Sequence, residues 1–106
     1  MRKLSEADAD ETVDVAVGET IEIALPENPT TGHRWQVDAI DPSLCAIVAD
    51  ERHAPQRPQP GAGGTHVWRL KALRAGRCDI TLAYRRAWDT AEPAARNFKL
   101  TLRAKP

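Results

Sequence analysis

The sequence is poor in aromatic residues, in cysteine and in net charge, and each shortage narrows the class of protein. Aromatic side chains make up 5% of the 106 residues, and two residues are cysteine. Two cysteines are too few for a disulfide scaffold. Fifteen basic and fifteen acidic residues cancel. Composition therefore gives no electrostatic case for a nucleic acid or an anionic membrane, and we predict neither as a partner.

Long apolar runs and helical periodicity are missing as well. No apolar run approaches the roughly 20 residues that a membrane-spanning helix needs. The first eight residues have a basic start without the apolar region of an export signal, so we expect no signal peptide in this stretch. A 3.6-residue pattern is weak and confined to residues 91–96, which have room for one turn.

What the sequence does contain is a series of short segments in which apolar and polar residues alternate. These predicted strands are residues 12–17, 20–25, 35–37, 44–49, 65–72, 78–84 and 98–102. Turn signals separate them about every 8–12 residues, which is typical of an antiparallel β-sandwich. We predict an all-β, immunoglobulin-like antiparallel β-sandwich of about seven strands over residues 11–106. Residues 1–10 are charged and lack periodicity, so we expect a flexible N-terminal arm.

The cysteines and two of the tryptophans fall inside the predicted strands. Cys45 and Cys78 can form one bridge or remain two free thiols, and we favour free thiols because cysteine packs well as a small hydrophobe. Trp35 precedes both cysteines, so the antibody arrangement of a tryptophan between two bridged cysteines is absent. Trp35 and Trp68 lie on inward faces and are predicted to be core residues.

Three elaborate connections interrupt the strands, at residues 28–32, 57–64 and 85–95. In the first, Asn28 can bond its own backbone, Pro29 fixes φ, and Gly32 permits a positive φ. By itself this segment is a well-made turn with no partner. With the strands lettered A to G, however, the B–C and F–G loops of an immunoglobulin-like sandwich emerge at the same end, and a long D–E loop starts from there too. Loops on a rigid scaffold are the usual place for recognition.

These three connections carry motifs in a fixed order. They are Asn28-Pro29-Thr30-Thr31-Gly32, then Gly61-Ala62-Gly63-Gly64, then Arg86-Ala87-Trp88. They resemble the NPTTG, GxGG and RPW loop motifs of the chagasin family of cysteine-peptidase inhibitors, and the resemblance spans roughly residues 12–103. It implies an immunoglobulin-like fold and reversible, non-covalent inhibition of papain-like cysteine peptidases, with three loops filling the active-site cleft. We expect the protein to be a monomer.

The resemblance also implies a role for each motif. Thr30 and Thr31 would lie over the catalytic cysteine of the peptidase. Gly61 to Gly64 would run along the non-primed side of the cleft, and Arg86 and Trp88 would pack on the primed side. The predicted peptidase-binding residues are Asn28, Pro29, Thr30, Thr31, Gly32, His33, Gly61, Ala62, Gly63, Gly64, Arg86, Ala87 and Trp88.

Two positions depart from the family pattern. Ala87 stands where the family has proline, so we expect a less rigid F–G loop and weaker binding. His33 replaces the usual aromatic residue after Gly32, which leaves the packing under the B–C loop open and would make affinity depend on pH.

Two other classes of function remain open on sequence alone. One is an immunoglobulin-like protein-binding or adhesion module that uses the same loop end. The other is an enzyme whose site the sequence does not reveal. His33, His53 and His66 have no metal-ligand spacing with the cysteines, and Ser5 and Ser43 are the only serines. We therefore predict no catalytic residue, no metal and no cofactor.

Overall fold

The part of the chain that the computed structural model describes, namely residues 2–27, 33–53, 63–86 and 96–106, contains eight strands. The strands are β1 (Arg2–Leu4), β2 (Thr12–Ala16), β3 (Thr20–Glu27), β4 (His33–Ala39), β5 (Cys45–His53), β6 (Gly64–Ala72), β7 (Gly76–Arg86) and β8 (Arg96–Lys105). A single 3-10 turn, Glu6–Asp8, lies between β1 and β2.

The strands form two four-stranded sheets. The first sheet has the order β1-β3-β6-β5, and the second has the order β2-β8-β7-β4. The β1–β3 and β2–β8 pairs are parallel, and the remaining neighbours are antiparallel. This is the immunoglobulin arrangement, with the first strand divided between the two sheets. The predicted β-sandwich is confirmed, with β1 as a strand that the sequence did not predict.

The inward faces of both sheets make one apolar core. Period-two alternation puts Ile21, Ile23 and Leu25 of β3 on the same face, and each is at most 1% exposed. Trp35 and Trp68 are also buried, which confirms their prediction as core residues. Because the second sheet contributes the same kind of face, the two sheets shield each other from water.

The N-terminal segment differs from the flexible arm that the sequence predicts. Residues 2–4 pair in register with β3, from Arg2 opposite Ile21 to Leu4 opposite Ile23. The Leu4 side chain is buried in the core cluster. A charged segment with one apolar residue gives no periodic signal, but that one residue reaches the core because the edge of β3 is open to pairing.

Two strands extend well into the charged segments that follow their apolar patterns. β5 continues through charged residues to His53, where the sequence predicted no strand, and β7 continues to Arg86. The added residues pair with a neighbouring strand, since Glu51 lies opposite Val67 and Arg86 lies opposite His33. An antiparallel strand with one solvated face tolerates charge on that face, so polarity did not end these strands.

Cys45 and Cys78 meet across the core, one from each sheet. Both are free and buried, as favoured from the sequence, and their Sγ atoms are 3.3 Å apart. Burial, with the neighbouring thiol of Cys78 as the next cause, raises the pKa of Cys45 to about 12. Cysteine reacts as the thiolate, so the raised pKa protects Cys45, and burial keeps reagents in solution away from both sulfur atoms.

We therefore expect neither thiol to react with a disulfide reagent such as dithionitrobenzoate in the native protein at pH 8. Both thiols should react once the chain is unfolded in guanidinium, because both sulfur atoms are then exposed to the reagent. The measurement is the absorbance of released thionitrobenzoate with and without denaturant. Fast release of one or two equivalents from the native protein would contradict the buried arrangement.

Candidate binding site

The three motif-bearing connections are residues 28–32, 54–62 and 87–95, and they are called the recognition segments below. The strand ends that flank them lie at one end of the sandwich. Strand pairing shows this in each sheet. The paired positions are Glu27 with Gly64 and His53 with Thr65 in the first sheet, and His33 with Arg86 and Tyr84 with Arg96 in the second. The strand ends that flank residues 28–32, 54–62 and 87–95 are therefore neighbours.

The short connections lie at the opposite end. The Gly18 N–H donates to the Ala72 carbonyl at 2.8 Å, and the Leu73 N–H donates to the Leu44 carbonyl at the same distance. These bonds bring the β2–β3, β6–β7 and β4–β5 connections together. Gly18 has a φ of 90°, a value that glycine adopts without the strain of a Cβ. The two ends of the sandwich are therefore different, as the sequence predicted.

Four of the predicted binding residues lie within the described residues. His33 begins β4, Gly64 begins β6 and Arg86 ends β7, so these three lie in strand ends instead of loops. Gly63 precedes β6 and is exposed, as is Arg86. The predicted positions that lie outside the described residues are Asn28, Pro29, Thr30, Thr31, Gly32, Gly61, Ala62, Ala87 and Trp88.

His33 packs as an aromatic ring does. It stacks on Tyr84 with ring centroids 5.3 Å apart and an interplanar angle of 24°. Tyr84 in turn lies 5.0 Å from the ring of Trp35. The sequence left open whether a histidine at this position could pack as the usual aromatic residue would. The stacking of His33 on Tyr84 shows that it does. A row of three rings supports the start of β4.

A cavity of about 270 Å³ lies between the strand ends of the two sheets. It is lined by Pro26, Glu27, Gly63, Gly64, Tyr84 and Arg96. Arg96 also forms an ion pair with Glu6 of the N-terminal segment. Residues that flank all three recognition segments thus contribute to one surface of this end.

A buried carboxylate, that of Glu27, holds this end together. The side chain is 4% exposed. Its Oε2 accepts from the backbone N–H of Trp35 at 2.8 Å and lies 2.9 Å from Nδ1 of His66, while its Oε1 accepts from Nε of Arg52 at 3.1 Å. Trp35 also donates its ring N–H to the Pro26 carbonyl at 2.9 Å. Buried carboxylates are tolerated when they are bonded in this way.

His66 joins the same network from β6. Its ring stacks on Trp68 with centroids 3.8 Å apart, and its Nε2 is hydrogen-bonded to the Asp50 carboxylate. Each ring nitrogen therefore faces a carboxylate oxygen, one on β3 and one on β5. The ring is 2% exposed, so these partners replace water for both of its polar atoms.

The surroundings keep Glu27 ionised. Burial by itself raises the pKa of a carboxyl group, and here it is outweighed by the Trp35 N–H, by His66 and by Arg52, which together hold the pKa of Glu27 below its ordinary value. A carboxylate that accepts several hydrogen bonds behaves in this way. The network is therefore built for the charged form at neutral pH.

Sequence reasoning did not identify Glu27 or its pairing with His66. The signal was present, because Glu27 continues the alternation of Ile21, Ile23 and Leu25 by one further step. A carboxylate at an inward position requires a partner. Which partner it has depends on pairing between residues 39 positions apart, and alternation within one strand does not encode that.

The described residues contain no group of three or more His, Cys, Asp and Glu side chains that could hold a metal ion. Within the same ranges, the search for a helix long and apolar enough to cross a membrane finds none.

The architecture defines a class of protein, an immunoglobulin-like β-sandwich in which the strand ends that flank three long connections are neighbours at one end. Residues 14–102 match the chagasin family of peptidase inhibitors, I42. The chain belongs to this family. Its members are inhibitors of peptidases and not enzymes.

Individual relatives agree over nearly the whole chain. Chagasin of Trypanosoma cruzi is 32% identical over 106 residues, with 96% of each chain covered. Amoebiasin-1 of Entamoeba histolytica is 36% identical over 102 residues, with 94% of each covered. The crystal structure of the cysteine protease inhibitor EhICP2 from Entamoeba histolytica superposes with a TM-score of 0.90 at 24% identity, covering 98% of this chain and 95% of that one. This last likeness supports the fold.

Proposed function

We propose that this protein is a reversible, non-covalent inhibitor of papain-like cysteine peptidases, and that residues 28–33, 61–64 and 86–88 enter the active-site cleft. One observation carries the proposal. The strand ends that flank all three motif segments are paired neighbours at one end of the sandwich. Three segments held at the same end can occupy one groove.

The chemistry of the first segment suits the centre of such a cleft. The target nucleophile is a thiolate next to an imidazolium, which favours nearby hydroxyl and backbone donors. Thr30 and Thr31 supply two hydroxyls. Pro29 stiffens the turn, and a stiff turn can keep its carbonyl groups out of alignment for attack by the thiolate. An inhibitor of this kind blocks access to the nucleophile without being cleaved as a substrate.

The other two segments suit the sides of the cleft. Glycines at 61, 63 and 64 let the backbone of a second chain approach closely. Trp88 beside Arg86 is the composition of an interface hot spot. A scaffold that is already ordered loses little conformational entropy on binding, which allows an interface of ordinary size to be tight.

Titration of the protein into a fixed concentration of papain tests the proposal. We expect activity to fall steeply and to return on large dilution, because no covalent bond is formed. Trypsin serves as the control enzyme and should keep its activity, since its nucleophile is a serine hydroxyl and its cleft has a different shape. The same titration is made with a cathepsin-L-like peptidase. If papain and this peptidase both keep their activity at a micromolar concentration of the inhibitor, the proposal is overturned. That result would favour the immunoglobulin-like protein-binding or adhesion module.

A further inference from the structure

Glu27 lies where four of the strand ends at the recognition end meet. It is the last residue of β3, directly before residues 28–32. Its partner Trp35 lies in β4, three residues after that segment. Its other partners, Arg52 in β5 and His66 in β6, lie on the two sides of residues 54–62. The carboxylate thus contacts the strands that lead into and out of two recognition segments.

We propose that Glu27 is a positioning residue for peptidase recognition, whose carboxylate fixes the separation and angle of the four strand ends from which the first two recognition segments emerge. The inference rests on the proposed function, because it concerns how the same surface is held. Glu27 is not itself placed in the cleft, since its side chain is buried beneath the surface.

The choice of a carboxylate at this position supports a geometric role. The three preceding inward residues of β3 are apolar, and a fourth apolar side chain would avoid the cost of burying charge. Buried ionic networks are weak contributors to net stability. Their hydrogen bonds, however, have defined lengths and directions, which apolar contacts lack. Glu27 spans the two sheets, because Trp35 belongs to the second sheet and its other partners to the first.

Basic side chains surround Glu27 from each strand packed against it. Arg52 on β5 and His66 on β6 contact it directly, and the guanidinium of Arg34 on β4 is 4.0 Å away. Asp50 lies behind His66 on the far ring nitrogen. A glutamine at position 27 would keep the shape and one acceptor oxygen, but it would present an NH2 group to a second donor. The network would then lose a bond and its charge balance.

The decisive comparison is between Glu27→Gln and a matched control, Glu22→Gln. Glu22 lies on the same strand and pairs with Arg69 at 3.3 Å, on the outward face and nearer the opposite end. We expect Glu27→Gln to raise the papain inhibition constant about tenfold or more, the size of effect that follows loss of a charged hydrogen bond. Glu22→Gln should stay within about twofold, because this half-buried ion pair contacts none of the strand ends at the recognition end.

Amide hydrogen exchange in the free protein separates positioning from general destabilisation. Glu27→Gln should speed exchange of the Trp35 amide, whose acceptor is removed or weakened, more than exchange of core amides such as that of Leu100. A residue with only a structural role would instead accelerate exchange throughout the sandwich, because global unfolding would be the common route. This readout needs no peptidase.

The acid dependence of stability supplies a second local readout. Because the pKa of Glu27 is depressed in the folded state, its contribution is present above the unfolded carboxyl pKa of about 4.3 and is lost as pH falls through the lower folded value. The stability difference between the wild type and Glu27→Gln should therefore shrink as pH falls from 7 through this range. A constant difference would show that the carboxylate's ionisation plays no part.

The outcomes are distinguishable. If the wild type inhibits papain and Glu27→Gln inhibits equally well, or Glu22→Gln loses as much, positioning by Glu27 is overturned while the proposed function stands. If the wild type does not inhibit, the proposed function fails, and the exchange comparison still decides whether Glu27 orders this end. Should Glu27→Gln not fold, Arg52→Ala serves instead, because it removes one hydrogen-bond partner of Glu27 by truncating an exposed side chain. Unchanged affinity in that variant would overturn the inference.

Discussion

The double substitution Thr31→Ala, Trp88→Ala is expected to weaken inhibition of papain by about thirtyfold or more. Truncation of a hot-spot tryptophan costs about 2 kcal/mol or more in binding free energy, which is about thirtyfold in affinity. Thr31 adds the hydroxyl that is proposed to lie over the catalytic thiolate. The measurement is the inhibition constant from titrations at several papain concentrations.

The control for this pair is an apolar truncation at the other end of the sandwich. Leu73 is 42% exposed in the connection after β6, so Leu73→Ala removes apolar area without touching the recognition end. Its inhibition constant should match that of the wild type, and both proteins should give the same circular dichroism spectrum as the double variant. Equal potency of the double variant and Leu73→Ala would show that these loops do not carry the binding.

Trp68→Ala is expected to lower the free energy of unfolding by about 3–5 kcal/mol. Trp68 is 1% exposed, and removal of a large buried aromatic side chain loses its transfer free energy and leaves a cavity. A domain of this size has roughly 5–15 kcal/mol of stability in total. The loss should appear as a large fall in the urea midpoint with little change in slope.

Val48→Ala is the matched control for the core substitution. Val48 is 54% exposed on the edge strand β5, so the change should stay within about 0.5 kcal/mol. A loss below about 1 kcal/mol for Trp68→Ala would contradict the close packing of this residue. Trp68 also stacks on the ring of His66, a partner of Glu27. The folded molecules of the Trp68→Ala variant should therefore bind the peptidase more weakly as well.

The alternation of apolar residues was sufficient to predict the architecture. Ile21, Ile23 and Leu25 recur every second residue, and only a strand puts such residues on one face. Proline and glycine between the strands marked the long connections, because they interrupt ladder pairing or permit unusual backbone angles. These are local properties, so they could be read from neighbouring residues.

The lengths of the strands were decided by their partners. Polarity predicted the end of the fifth strand near residue 49, yet it continues to His53 because β6 offers further ladder positions. β1 exists for the same reason, as Leu4 has no alternating neighbours but finds an open edge and an apolar core. Pairing energy depends on what lies alongside, which a single segment does not contain.

The sequence by itself determined a β-sandwich with three unusual connections and the motifs within them. Only the tertiary structure decided that the strand ends flanking those connections are neighbours, and that Glu27 joins them. The physical reason is the range of the interactions involved. Alternation and turn chemistry act between adjacent residues, whereas the bonds of Glu27 to Trp35, Arg52 and His66 form only when strands from both sheets have packed together.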